Sequence, residues 1–249
     1  MSIWIHSAEN VEENRLYIEN LSTIMLKDGR FTWRPLPGVE GSRMFFVRKD
    51  SSCLNPHENP YATLLERETL PQFEWPAAAP FARWIAGNSA LFRGKKVLEL
   101  GSGTGIVGFT AAAYAAKVVL SDCSLVSMAM LKLSIEEGCL GNCSAGLLRW
   151  GSDEAVDELK RVINVEAFDI IIGSDIFYFN ATLKAGLKTA KRALHSSRAS
   201  SEGVFLCASV ARSERMEVEL DDVPATFGFN SRVLMETDGL KLYMWTVEC

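Results

Sequence analysis

From position 99 the chain reads Glu99-Leu100-Gly101-Ser102-Gly103-Thr104-Gly105, with glycine at every second position and an acid two residues ahead of the first. Glycine admits positive φ and lets the backbone approach a ligand where a Cβ would collide. The apolar run Lys96–Leu100 leads into this stretch, and an Ala-rich helical run from Ile106 to about residue 116 follows it. Free N–H groups and the positive end of a helix dipole would therefore face the same space as the glycines. A dinucleotide site favours Gly-x-Gly-x-x-Gly, with a pyrophosphate at the helix start. The spacing here differs, and Glu99 suits a cation. S-adenosylmethionine, which carries a sulfonium and an ammonium and no phosphate, fits that chemistry. A tight strand-to-helix turn with no ligand is the alternative. Asp122 stands 21 residues beyond Gly101, at the end of the next apolar run. From there a carboxylate can accept hydrogen bonds from both ribose hydroxyls of an adenosyl group. Helix N-capping is its structural alternative.

The elements that must hold these residues follow from periodicity. Strands are predicted at Lys96–Leu100, Lys117–Leu120, Ala145–Leu148, Phe168–Ile172 and Val204–Ala208. Between them, Leu125, Met128, Leu131 and Ile135 recur at helical spacing. Leu183, Leu187, Ala190 and Leu194 do the same behind Asn180, which reads as an N-cap. Glu214–Leu220 reads as a further helix, and Ser231–Leu234 and Leu240–Val247 as strands joined by the turn pair Asp238-Gly239. Apolar strands alternating with helices imply a doubly wound α/β fold, Rossmann-like, with a seven-stranded mainly parallel sheet covered on both faces. The terminal hairpin makes its last part antiparallel. Seven of the eight prolines lie at or before Pro80, so the first part of the chain reads as irregular, with short strands such as Met44–Val47. We expect an N-terminal extension over residues 1–70 and the ligand-binding domain over residues 71–249.

The chain has 249 residues, 48% hydrophobic and 23% charged, with net charge −5. That suits one globular domain with a sizeable core, and the acidic balance argues against direct binding of nucleic-acid phosphates. No apolar run approaches the roughly 20 residues needed to cross a bilayer, and the first residues show no signal peptide. The expectation is therefore a cytoplasmic or nuclear protein, monomeric, with free thiols and no membrane partner. The six cysteines and three histidines lack metal-ligand spacing, so no metal is expected.

Val97–Gly108, Ser121-Asp122, Leu148-Arg149-Trp150-Gly151 and Gly173-Ser174-Asp175-Ile176-Phe177-Tyr178 together resemble the seven-β-strand methyltransferases, in particular the family 16 lysine methyltransferases. Glu74-Trp75-Pro76-Ala77-Ala78 is similar to that family's Trp-Pro element. The likeness covers about residues 70–210 and the terminal hairpin. The glycine turn is shared by most class I methyltransferases, whereas Asp175-x-x-Tyr178 and the two tryptophan elements are more specific. The resemblance implies S-adenosylmethionine as cofactor, held by Trp75, Glu99, Gly101, Ser102, Gly103, Thr104, Gly105, Asp122, Cys123, Trp150 and Ser174, with Trp150 close to the adenine. It also implies that Asp175 and Tyr178 serve the methyl acceptor, a lysine side chain of a protein substrate, with Asp175 either a base or a clamp for the amine. Arg149 departs from the family, which places an acid before this tryptophan. A small nicotinamide-like amine as acceptor, or a catalytically silent partner module on the same scaffold, are the alternatives.

Overall fold

The computed structural model describes residues 4–5, 11–39, 44–48, 70–138, 141–194, 203–210 and 213–247. The three histidines and Cys53, Cys139 and Cys249 lie outside them. Among the described residues one sheet of eight strands organises the chain. In chain order its strands are β1 (Trp4–Ile5), β4 (Lys96–Leu100), β5 (Lys117–Asp122), β6 (Cys143–Leu147), β7 (Ile170–Ser174), β8 (Gly203–Val210), β9 (Asn230–Thr237) and β10 (Leu240–Val247). A separate antiparallel pair joins β2 (Phe31–Pro35) to β3 (Met44–Arg48). The helices are α1 (Val11–Lys27), α2 (Ala78–Gly87), α3 (Ile106–Ala112), α4 (Leu125–Glu137), α5 (Asp153–Ile163), α6 (Asn180–Leu194) and α7 (Glu214–Thr226).

The spatial order is β1-β6-β5-β4-β7-β8-β10-β9. From β4 the chain winds outward through β5 and β6, then returns to β7 on the other side of β4 and winds the opposite way. The reversal therefore falls between β4 and β7, the place where open α/β sheets bind ligands beyond their strand ends. Pairing is parallel from β1 through β8 and antiparallel for β8–β10 and β10–β9. Asp238 (φ 47°) and Gly239 (φ 77°) close the terminal hairpin with the positive φ values that a tight two-residue turn requires.

Side chains alternate across the sheet and feed two cores. Val97, Val118, Leu120, Ile170 and Ile172 meet residues of α1, α2, α3 and α4 on one face. Leu98, Leu100, Val119 and Ile171 meet residues of α5, α6 and α7 on the other. Burial on both faces is why these strands read as continuous apolar runs rather than alternating ones.

The segment read as irregular contains more than short strands. α1 runs for 17 residues, and its Ile18, Leu21 and Met25 are buried in the first core. Spacing of three and four residues puts those side chains on one face. Pro80, read as a breaker, sits in the first turn of α2, where its missing N–H removes no intrahelical hydrogen bond. α5 was not predicted, although Ser152 caps it by accepting from Ala155 N and its Val156, Leu159 and Ile163 share a buried face. At α6 the expected Asn180 cap is displaced by a reciprocal arrangement one residue earlier. Thr182 Oγ1 accepts from Phe179 N at 3.2 Å and donates to Phe179 O at 2.7 Å.

Candidate active site

The glycine turn leaves the end of β4 at the sheet's reversal point. Gly101, Gly103 and Gly105 have φ of 63°, 49° and 78°. At Gly101 a Cβ would lie 2.7 Å from Ile176 Cγ2 and 3.3 Å from Trp150 Cζ2; at Gly105 it would lie 2.5 Å from both Leu131 Cδ2 and Phe109 Cε2. At Gly103 the nearest atom would be Pro71 O at 3.5 Å, so space exists there and only the backbone conformation demands glycine. The turn is held from β5 and α4: Ser102 N donates to Ser121 O at 2.9 Å, and Ser127 Oγ donates to Gly103 O at 2.8 Å. Ser127 and Ile176 were not predicted as site residues, and nothing in their local pattern distinguishes them from ordinary helix and loop positions.

Asp122 reaches the turn directly. Its Oδ2 accepts from Gly103 N at 2.9 Å and its Oδ1 from Ser124 N at 3.0 Å. Burial raises the pKa of this carboxyl above the usual aspartate value, while the N–H groups of Gly103, Ser124 and Cys123 and the Ser127 hydroxyl pull it back down. The helix-cap alternative falls to Ser124, whose Oγ accepts from Ser127 N. Cys123 is exposed beside this corner, and Thr104 is buried within the turn.

Glu99 lies under the turn, 2% exposed. Burial pushes its carboxyl up to about 8; the Ser102 hydroxyl and Gly108 N–H oppose that shift and the charge of Asp122 adds to it. Glu99 Oε2, Ser102 Oγ and, at the end of β7, Ser174 Oγ are buried without a hydrogen-bond partner. Buried polar atoms are nearly always partnered, so three orphans around one glycine turn mark a place built for a polar ligand.

Across the reversal, Trp150 flanks Gly101 and meets Phe177 edge-on at 5.9 Å. Trp75 meets Tyr178 edge-on at 5.9 Å, and its Nε1 donates to Leu70 O at 2.9 Å. That hydrogen bond ties Trp75 to the short 3-10 turn Leu70–Gln72, whose Pro71 overlies Gly103. A groove of about 430 Å³ opens beside Tyr178, lined by Phe179, Asn180, Arg215 and Met216 among others. Phe179 is 71% exposed on its rim.

Asp175 lies at the end of β7, next to Ser174. It is 2% exposed, and both oxygens accept backbone N–H groups: Oδ2 from Ala77 at 2.8 Å and Oδ1 from Val210 at 2.9 Å. Its own N donates to Ala208 O at 2.9 Å, and its φ is 52°, which a short polar side chain tolerates better than most. The carboxylate thus grips the protein's own backbone, fastening the Trp75-Pro76 element to the end of β8. Hydrogen bonds from two buried amides stabilise the charge on this carboxylate.

Over residues 67–221 the sequence matches the profile of the lysine methyltransferase family. The chain belongs to that family. Calmodulin-lysine N-methyltransferase of Arabidopsis thaliana is 31% identical over 196 residues, covering 76% of this chain and 61% of that protein. Protein N-lysine methyltransferase METTL21A of Xenopus tropicalis is 30% identical over 145 residues, covering 57% of this chain and 61% of that protein. This lysine methyltransferase family member therefore spans about three fifths of those relatives' lengths. Among solved structures, the T. thermophilus 16S rRNA methyltransferase RsmC in complex with AdoMet and guanosine superimposes with a TM-score of 0.57 at 19% identity, covering 89% of this chain and 52% of that one. At that identity the likeness concerns the fold. No described helix of this family member is long and apolar enough to cross a membrane.

Proposed function

We propose that this protein is an S-adenosylmethionine-dependent N-methyltransferase acting on a lysine side chain of a protein. The observation that carries the reading is the set of orphaned buried polar atoms around the glycine turn, at the reversal point of a sheet whose sequence belongs to a lysine methyltransferase family. Named relatives that methylate protein lysines support the acceptor class. The catalytic unit is residues 71–249, with residues 1–70 contributing α1 and the β2–β3 pair as cover.

When bound, S-adenosylmethionine supplies an electrophilic methyl group. Glu99, Ser102 and Ser174 would give its polar end the partners they themselves lack, Asp122 would hold the ribose, and Trp150 would offer a ring face to the purine. Methyl transfer to nitrogen is an in-line displacement, so the protein's contribution is positioning of a neutral amine and exclusion of water. A lysine begins with an ordinary pKa of about 10.4 and must shed its proton before it attacks. With Asp175 committed to backbone amides, Tyr178 and Trp75 form the acceptor wall. Asp175 acts through them as a positioning residue.

The test is incubation of the purified protein with methyl-labelled cofactor and a cell lysate, followed by amino-acid analysis of the labelled product. Label recovered as methyllysine in a protein band is expected. Label in methylarginine or in a small amine overturns the acceptor assignment, and absence of label with intact cofactor binding supports a silent module instead.

Asp122→Ala should weaken cofactor binding about 10–100-fold, because hydrogen bonds to a charged acceptor are each worth roughly 1.5–3 kcal/mol before water compensates. It also frees Gly103 N and Ser124 N from the carboxylate, so the turn itself loosens. Calorimetry showing an unchanged Kd would return Asp122 to a purely structural role.

A further inference from the structure

Glu99 is placed unlike a surface acid that waits in water for a cationic ligand. It is sealed under the glycine turn with Oε2 unpartnered, and Ser102 Oγ beside it is unpartnered too. Gly108 of α3 packs so closely on the carboxyl that a Cβ there would overlap Oε2. In register, β5 presents Leu120 and β7 presents Ile172 on either side of it. Ser121 of β5 spends its hydroxyl on Glu99 O at 2.6 Å. α3 consists of uncharged residues throughout. Among the described residues the charged group that acts on Glu99 is Asp122, another acid. A carboxylate enclosed this way, with no cation and an acid for a neighbour, is held in its neutral form.

We propose that cofactor binding at this turn is coupled to proton release, with Glu99 as the group that gives up the proton. The proposal rests on the S-adenosylmethionine reading above. The arriving sulfonium and ammonium favour the ionised carboxyl. The O–H bond of Glu99 breaks, the proton passes to a buffer base, and the electron pair stays on the carboxylate as counter-charge; nothing is oxidised or reduced. The demethylated product, S-adenosylhomocysteine, lacks the sulfonium charge and draws the proton out less completely. Rising pH therefore favours fresh cofactor over spent cofactor at the same site.

The experiment is titration calorimetry of the full chain with S-adenosylmethionine and with S-adenosylhomocysteine. Runs at pH 7 in buffers of different ionisation enthalpy give the protons released per ligand bound. The wild-type protein should release close to one proton with S-adenosylmethionine and clearly fewer with S-adenosylhomocysteine. Affinity for the former should rise toward about tenfold per pH unit between pH 6 and 8 and then level off. Glu99→Gln, which mimics the protonated acid, should remove most of that release and flatten the pH dependence, whatever protons the ligand itself exchanges. Equal proton counts in wild type and Glu99→Gln, or equal counts for the two ligands in the wild type, overturn the proposal while leaving the cofactor reading intact. No binding of either ligand to the wild type overturns the cofactor reading itself.

A ligand-free measurement guards against a poorly folded variant. A carboxyl raised in the folded state contributes stability that is fully present below its unfolded value near 4.3. That contribution is lost progressively as pH rises toward about 8. Wild-type denaturation midpoints should therefore fall between pH 5 and 8. A flat or rising profile over that range overturns the proposal.

Discussion

Asp175→Asn is expected to lower stability and turnover together. The asparagine keeps the volume and the tolerance of φ 52° but has one acceptor oxygen where the aspartate has two. Its NH₂ would point at either Ala77 N or Val210 N, donor against donor, in a site 2% exposed. Losing a charge-assisted hydrogen bond costs roughly 1.5–3 kcal/mol, and a buried unsatisfied donor adds a similar amount. The melting temperature should fall by roughly 6–24 °C for a chain of this size. Freed from Asp175, the Trp75-Pro76 element no longer holds Trp75 against Tyr178, and misplacement by about 1 Å is enough to cost 100-fold in rate. Differential scanning calorimetry and lysate labelling on the same preparation check both halves. Turnover reduced at an unchanged melting temperature would show instead that the carboxylate acts on the acceptor amine itself.

The backbone partners of Asp175 show where sequence reading stops. The glycine turn was legible because its requirement is local: positive φ and close packing exclude side chains wherever the fold places them. The strands β4, β5 and β7 were legible because burial on both faces leaves unbroken apolar runs. Asp175 was recognisable as an acid at a strand end, but its partners lie 98 and 35 residues away in sequence and are backbone amides, which carry no residue-type signal. The same holds for Trp75, whose indole finds a carbonyl in a short turn rather than a pattern. α5 is a different case. Its cap at Ser152 and its Val156–Leu159–Ile163 face carry a local signal, so that helix was within reach of the sequence. α1 has only a thin apolar stripe, and the burial of Ile18, Leu21 and Met25 against α4 comes from tertiary packing.

Gly103→Val and Gly105→Ala should separate binding from folding within a single turn. At Gly103 a Cβ meets nothing nearer than Pro71 O at 3.5 Å, so the core is undisturbed. The cost is conformational: a β-branched residue at φ 49° is strained by roughly 1–3 kcal/mol, which the turn relieves by shifting toward negative φ. That shift drags Gly103 N away from Asp122 and fills the ligand side of the turn with two methyl groups. Cofactor binding should be lost by calorimetry, with secondary structure by circular dichroism unchanged. At Gly105 the smallest possible side chain already collides with Leu131, Phe109 and Leu120, at 2.5, 2.5 and 2.9 Å, in a position with φ 78°. Overpacking of this kind costs about 1–3 kcal/mol and the left-handed backbone adds about 1–2 more. Gly105→Ala should therefore lower the denaturation midpoint, and its loss of binding should follow the loss of fold. If Gly103→Val binds cofactor with wild-type affinity, the ligand does not contact this turn, and the orphaned atoms of Glu99, Ser102 and Ser174 would need another partner.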